Sequence, residues 1–170
     1  MSGATHIVGG LMFAGTLCSF TDVNIFENPY YIAVCVGFSL LPDIDTTKSM
    51  IGKLLYPLAW LIYHKFGHRT VTHSLLFLVI LWFTTFLLIR LSVITDPNYL
   101  KIILFSLIGH YVFDMITVSG VPLFFPFAKN PCVIPGNPHY RFETNSMRSE
   151  ILVFGICGIL CFTMQPLFAK

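Results

Sequence analysis

The sequence predicts an all-α fold, a polytopic membrane helix bundle with about five transmembrane helices and one short re-entrant or interfacial helix. Hydrophobic residues make up 55% of the 170 residues and charged residues only 11%, whereas soluble domains carry about 25% charged residues. The mean hydropathy is +0.77, and the apolar residues are gathered in long runs. With a net charge of only +2, this composition excludes a disordered chain, a nucleic-acid-binding domain and an ordinary cytosolic enzyme.

Six apolar segments follow one another along a chain that is interpreted as one membrane-embedded domain over residues 1–170. The segments that start at Thr72, Leu100 and Ile151 reach the length of about 17–20 residues that a membrane span requires. Those that start at Thr5 and Tyr30 are shorter, and Pro57 lies inside the short segment that starts at Gly52. The six segments are Thr5–Phe20, Tyr30–Leu41, Gly52–Phe66, Thr72–Ile94, Leu100–Val118 and Ile151–Phe168.

The distribution of Lys and Arg predicts the sidedness of this bundle. If Gly52–Phe66 does not cross, one side collects Lys48, Lys53, Lys65, Arg69, Lys129, Arg141 and Arg148, and the other side only Arg90, Lys101 and Lys170. Because cytoplasmic loops are enriched in Lys and Arg, the first side is predicted to be cytoplasmic. The chain is therefore expected to be a multi-pass membrane protein with a cytoplasmic N-terminus.

Histidine and aspartate side chains gather at the ends of the apolar segments. Ionisable groups at membrane depth cost several kcal/mol each, so they mark a functional site. In the five-span topology all of them lie at the same membrane face, and His110 and Asp114, four residues apart, share one helix face. The candidates are His6, Asp43, Asp45, His68, His73, His110 and Asp114.

This mixture of imidazole and carboxylate groups predicts a transition-metal site. Zn²⁺ is the first expectation and Mn²⁺ or Fe²⁺ fit as well; two neighbouring ions would explain why so many ligands are present. Each motif alone has a simpler interpretation. His6 could be an ordinary hydrogen-bonded histidine, Pro42–Asp45 could be a turn, and His110 and Asp114 could form a salt bridge or a proton relay. His64, His139 and Glu150 stay without an assigned role.

Several motifs follow in order along nearly the whole chain. They are Thr5-His6 with Gly9 and Gly10, Leu41-Pro42-Asp43-Ile44-Asp45, His68-Arg69-Thr70-Val71-Thr72-His73-Ser74, Gly109-His110-Tyr111-Val112-Phe113-Asp114 followed by Thr117 and Gly120, and a weaker tail of Pro126-Phe127, Thr144-Asn145-Ser146 and Glu150. Together they resemble the YdjM-like family of LexA-regulated, inner-membrane metal-dependent hydrolases. The resemblance implies a bacterial inner-membrane location, a metal-dependent hydrolase and the seven candidates as its site residues.

The leading interpretation is a hydrolase at the cytoplasmic leaflet that cleaves a lipid phosphoester with metal-activated water. A carboxylic ester or an amide is the less expected substrate. Asp45 or Asp114 is expected to act as general base, and Arg69 to hold the phosphate. His68 or His73 would protonate the leaving oxygen if it is not a ligand. The expected partner is a membrane lipid or another amphiphile, with no nucleic acid.

Two other classes of function stay open at this point. A metal or proton transporter would also use His and Asp within the membrane. Such a pathway needs polar residues along the span, but the run from Leu75 to Ile89 contains only Thr84 and Thr85. A non-catalytic membrane protein with a structural metal is the third interpretation, and such sites close with about four ligands.

Overall fold

The computed structural model describes residues 1–143 and 146–168, so Thr144 and Asn145 of the tail motif lie outside the described residues. The described chain is helical, and its only extended pairings are two isolated β-bridges. Short 3₁₀ turns separate some of the helices. The helices are α1 (Gly3–Ser19), α2 (Pro29–Leu40), α3 (Met50–Leu54), α4 (Tyr56–Phe66), α5 (Leu75–Arg90), α6 (Asn98–Met115) and α7 (Met147–Phe168).

Side-chain caps fix where several of these helices begin. The Ser2 hydroxyl accepts from the amide of Thr5 at the start of α1, and Asn28 accepts from the amide of Tyr30 at the start of α2. Ser74 accepts from the amide of Phe77 and starts α5. Such caps satisfy amide groups that have no partner in the first helical turn.

Helix α1 lies at the centre of the fold and packs against α2, α6 and α7. Two glycines on α1 allow the closest approaches. A Cβ atom on Gly9 would lie 2.5 Å from a ring carbon of Phe113 on α6, and one on Gly10 would lie 1.9 Å from Oγ of Ser39 on α2. The motif residues Gly9 and Gly10 therefore set the spacing between α1 and its two neighbours.

The predicted bundle of five transmembrane helices is wrong. Among the described residues, none of the helices combines the length and the apolar character that a membrane crossing needs. The prediction rested on runs of apolar residues, but α5 begins at Leu75 rather than Thr72 and stops at Arg90, so it has only 16 residues. Helix α2 has only 12 residues. Helix α6 has 18 residues, but it includes Lys101, His110 and Asp114.

The segment Gly52–Phe66, predicted as one short helix, belongs to two helices. Helix α3 ends at Leu54, and α4 begins at Tyr56 with Pro57 in its first turn. Proline fits that position because it has no amide hydrogen to leave unpaired. The sidedness deduced from five spans loses its basis together with the spans.

Candidate metal centre

Helix α1 brings His6 into the interior next to α6. His6 is 1% exposed, and its ring stacks on the ring of His110 with centroids 3.9 Å apart and planes at 16°. The close contact of Gly9 with Phe113 holds the two helices near enough for this stacking. In the motif Thr5-His6 with Gly9 and Gly10, the glycines thus allow the close helix packing that positions the imidazole of His6.

Two short 3₁₀ turns carry the carboxylates and the second histidine. Leu41–Asp45 forms the turn that holds Asp43 and Asp45, and Val71–His73 forms the turn that holds His73 just before α5. Asp45 and His73 are fully buried, and Asp43 is 8% exposed. Proline at position 42 fits the start of a turn, where no amide donor is needed.

Four side chains from these elements converge on one point. One ligand atom each from Asp43, His73, His110 and Asp114 lies within 4.8 Å of all the others. Nε2 of His73 lies 3.2 Å from Nε2 of His110 and 3.4 Å from Oδ2 of Asp114. Oδ1 of Asp43 lies 3.9 Å from both imidazole Nε2 atoms. Ligands about 2.1 Å from a tetrahedral metal lie roughly 3.4 Å apart, so the four atoms fit one ion.

Orphaned polar atoms support this fit. Oδ2 of Asp114 and both ring nitrogens of His6 are buried without a hydrogen-bond partner among the described residues. Buried polar atoms of this kind are rare and require an explanation such as an ion. His6 lies beside the group of four, since its Nε2 is 3.5 Å from Oδ1 of Asp114.

Neighbouring groups orient the two imidazoles of the centre. Nδ1 of His110 donates to the main-chain oxygen of Ser39 at 2.7 Å. The lone pair that can bind a metal is therefore on Nε2. Nδ1 of His73 lies 3.3 Å from Oδ2 of Asp45 and 3.1 Å from Oγ1 of Thr72. A carboxylate or carbonyl behind a histidine is the usual support of a metal ligand, because it fixes the tautomer and the ring orientation.

Asp45 lies outside the group of four and accepts several hydrogen bonds. The donors are Nδ1 of His68 at 2.7 Å, the amide of Arg69 at 2.6 Å and Oγ1 of Thr72 at 2.9 Å. His68 is 40% exposed, so it is held by Asp45 at the surface of the site and does not join the group of four. The seven sequence candidates thus divide into four converging side chains that could hold an ion, His6 beside them, and the pair Asp45–His68.

Arg69 binds a residue of the group of four directly. Its Nη2 donates to Oδ1 of Asp114 at 2.8 Å, while Oδ2 of the same carboxylate faces His73. Arg69 has φ +54, a conformation that a non-glycine residue seldom adopts and that is typical of functional sites. This backbone turn lets one residue direct its amide to Asp45 and its guanidinium to Asp114.

The electrostatics of the cluster favour a bound cation. Burial alone would raise the pKa of Asp114, but His6 and His73 hold it well below its usual value. Burial alone would lower the pKa of His73, but the adjacent carboxylates of Asp114 and Asp45 raise it to about 9. Burial and the neighbouring His6 lower the pKa of His110. Asp114 thus remains anionic, and a proton on His73 supplies positive charge when no metal does.

A cavity of about 830 Å³ opens beside the centre. This volume is in the range of small-molecule sites. Its wall includes Asp43 of the group of four, together with His68, Arg69 and Lys48. The cavity therefore meets the group of four at Asp43.

The three residues without an assigned role, His64, His139 and Glu150, lie outside the group of four. His64 on α4 is exposed, with its Nδ1 2.9 Å from the main-chain oxygen of Trp60, and His139 lies exposed in the 3₁₀ turn Pro138–Tyr140. Glu150 on α7 accepts from the amide of Ser2 at 2.7 Å and from the hydroxyl of Thr5. Glu150 therefore ties α7 to the start of α1, one residue before His6.

Sequence reasoning missed two supports of the histidines. Thr72 is one of them: its Oγ1 lies 3.1 Å from Nδ1 of His73, and its position next to that histidine is the only signal in the sequence. Ser39 gave no signal, because it acts through its main-chain oxygen, which every residue has.

The fold and the site define an all-helical protein with a buried Asp/His/His/Asp group that can hold a metal ion. The family model described as YdjM inner membrane protein matches residues 1–167, and the chain belongs to this family. It is 32% identical over 170 residues to the uncharacterized protein YvsG of Bacillus subtilis, a match that covers 99% of this chain and 97% of that protein.

A second similarity is to the inner membrane protein YdjM of Escherichia coli. The two are 36% identical over 108 residues, which is 61% of this chain and 55% of that protein. A protein of the same name from Shigella flexneri matches to the same extent. No solved structure matches the chain.

Proposed function

We propose that the protein is a metal-dependent hydrolase that cleaves a phosphoester of a membrane lipid. The observation that carries the proposal is the cavity of about 830 Å³ whose wall includes Asp43, a member of the group of four. A divalent transition metal at that group, first of all Zn²⁺, would polarise an ester oxygen and activate water. The family name supports a substrate that is met at the inner membrane.

Cationic side chains in the cavity wall favour a phosphate over a neutral ester. Lys48 and Arg69 both line the cavity, and Arg69 keeps its guanidinium fixed against Asp114. A charged hydrogen bond to phosphate is stronger than one to a neutral carbonyl. Asp114 thereby both joins the group of four and orients the guanidinium to which we assign the phosphate.

His68 is the group best placed to move a proton. Its Nδ1 donates to Asp45, and its ring lines the cavity, so Nε2 is the atom left for the substrate. The hydrogen bond to Asp45 fixes the ring, so that Nε2 can deliver a proton to the leaving oxygen. Because the oxygens of Asp45 already accept from three residues, we assign Asp45 to orientation rather than to the role of general base.

Replacing His68 with Gln is expected to separate proton transfer from metal binding. The metal content should stay that of the wild type, because His68 is outside the group of four, while turnover of a phosphorylated lipid should fall about 10²–10⁴-fold. Metal analysis of the purified chain and assays of released phosphate or headgroup check both. If His68→Gln loses the metal, His68 is a ligand and this assignment fails.

The hydrolase proposal itself is tested with a panel of phosphorylated lipids. Chelation should abolish headgroup release, and added Zn²⁺ or Mn²⁺ should restore it. The matched controls are His110→Ala, which lacks a member of the group of four, and His64→Ala, which alters an exposed histidine of α4. A metal-loaded protein that hydrolyses nothing in the panel would support a structural metal, and one that moves metal into liposomes would support a transporter.

We also propose that the cavity faces the cytoplasmic side of the inner membrane. Between Asp45 and Asp96 the chain has no acidic residue but contains Lys48, Lys53, Lys65, Arg69 and Arg90. The cytoplasmic leaflet carries anionic lipids, which attract Lys- and Arg-rich segments to its surface. A cysteine introduced by Lys48→Cys, in a chain without its native cysteines, should react with an impermeant maleimide only after cell lysis. Reaction in intact spheroplasts would exclude this orientation.

A further inference from the structure

The segment between α6 and α7 forms a loop fixed by main-chain hydrogen bonds at the end of the molecule that holds the site. Bridges join Thr117 to Phe142 and Val121 to Cys132. The main-chain oxygen of Leu123 accepts from the amide of Leu75 at 2.8 Å, two residues after His73. The loop is therefore anchored next to the candidate metal centre.

The loop tip, residues 124–129, presents two phenylalanines outward. The amide of Ala128 donates to the main-chain oxygen of Phe124 at 3.0 Å, which closes a tight turn. Phe124 and Phe127 are three residues apart in this turn, and they are 56% and 93% exposed. Single exposed apolar side chains are ordinary, but a pair presented on a fixed turn is typical of an interaction surface.

Charge indicates which surface the tip meets. Lys129 is exposed at the end of the tip, and residues 116–142 contain no Asp or Glu. Aromatic rings beside a cation suit the headgroup layer of an anionic bilayer, where the rings reach the acyl boundary and the cation meets lipid phosphates.

The loop that carries the tip also contributes to the cavity wall. Ser119, from the same loop, lines the cavity, and Met50 and Tyr63, from α3 and α4, line it as well. Met50 is 57% and Tyr63 47% exposed, and Ala59 is the one buried residue of α4. The cavity therefore opens between the loop and an apolar surface.

From this arrangement we infer that the loop tip inserts into the headgroup layer of an anionic bilayer and holds the cavity mouth against the lipid. Insertion needs only Phe124, Phe127 and Lys129, so it holds whether or not the centre hydrolyses a bond. A lipid headgroup then enters the cavity without leaving the membrane surface.

Two single-tryptophan reporters test the insertion. In a full-length Trp60→Phe, Trp82→Phe background, Phe127→Trp reports on the tip, and Phe20→Trp reports on a position that is 81% exposed. Phe20 follows the far end of α1, about 25 Å from its start, beside Asp22 and Glu27. Phosphatidylglycerol vesicles should shift the emission of the Phe127→Trp reporter to shorter wavelength, and lipids brominated near the headgroup should quench it. The Phe20→Trp reporter should not respond.

Vesicle partitioning measures the contribution of each side chain. Phe127→Ser should lower partitioning onto phosphatidylglycerol vesicles about 10-fold or more, while the matched Phe20→Ser should leave it unchanged. Lys129→Gln should lower it about 5-fold at low salt, with little effect on phosphatidylcholine vesicles. These changes lie at exposed positions, so folding measured by circular dichroism should be preserved.

Each other outcome would overturn the inference. Equal responses of both reporters would mean that the contact with lipid is not specific to the tip. An unchanged partition for Phe127→Ser would mean that the tip stays outside the bilayer. A spectral shift of the Phe127→Trp reporter that depends on protein concentration and not on vesicles would mean that a second copy covers the tip.

Discussion

Replacing His110 with Ala is expected to remove most of the bound divalent metal from the purified protein. Nε2 of His110 lies 3.2 Å from Nε2 of His73 and 3.7 Å from Oδ2 of Asp114, so the change deletes one of four converging ligands. The expected loss of Zn²⁺ affinity is at least about 100-fold, since even the groups behind a ligand contribute about 10–100-fold. Mass spectrometric metal analysis and chelator competition measure it.

A second variant separates metal loss from a folding defect. Asp43→Asn keeps the size of the side chain at a position that is 8% exposed, and it should also lose most of the metal because a carboxylate charge disappears. His64→Ala, on the exposed side of α4, should keep the wild-type metal content. Full metal occupancy in both His110→Ala and Asp43→Asn would contradict the assignment of the metal centre to the group of four.

The second large effect concerns folding rather than metal. Gly10→Ala is expected to destabilise the protein by about 1–3 kcal/mol, the usual cost of an extra carbon in a packed interior. The new Cβ would lie 1.9 Å from Oγ and 2.7 Å from Cβ of Ser39, so α1 and α2 must separate. Because the main-chain oxygen of Ser39 orients His110, this variant should also bind metal less tightly. Denaturant unfolding followed by circular dichroism gives the free energy of unfolding.

A glycine without close neighbours provides the matched control. Gly37 also lies within a helix, α2, but a Cβ atom there would meet nothing within 4 Å. Gly37→Ala should therefore raise the free energy of unfolding by about 0.5–1 kcal/mol through helix propensity alone. Opposite signs for the two substitutions are the expected result, and equal effects would contradict the close packing of α1 on α2.

Local chemistry made part of the site predictable from the sequence. The types of the ligands, imidazole and carboxylate, are visible residue by residue, and the spacing of four between His110 and Asp114 places both on one helix face. The glycines after His6 and the proline before Asp43 were visible as motifs. The role of the two glycines depends on their neighbours in space: Gly9 lies against Phe113, and Gly10 lies against Ser39.

The prediction of membrane topology was wrong because apolar composition does not determine where a helix begins and ends. The apolar run from Thr72 to Ile94 contains a 3₁₀ turn, a serine cap and a 16-residue helix. Those boundaries come from backbone hydrogen bonds, such as the one from Leu75 to Leu123 in a distant loop. A window of hydropathy does not contain this information.

By itself, the sequence determined a helical chain and the seven His and Asp candidates, because residue type and helical period are local properties. Only the tertiary structure decided that Asp43, His73, His110 and Asp114 meet, while Asp45 holds His73 and His68 from behind. Distances between separate segments depend on how closely helices pack, and here two glycines of α1 set that closeness. The same packing leaves His68 and Arg69 in the cavity wall, where the proposed chemistry takes place.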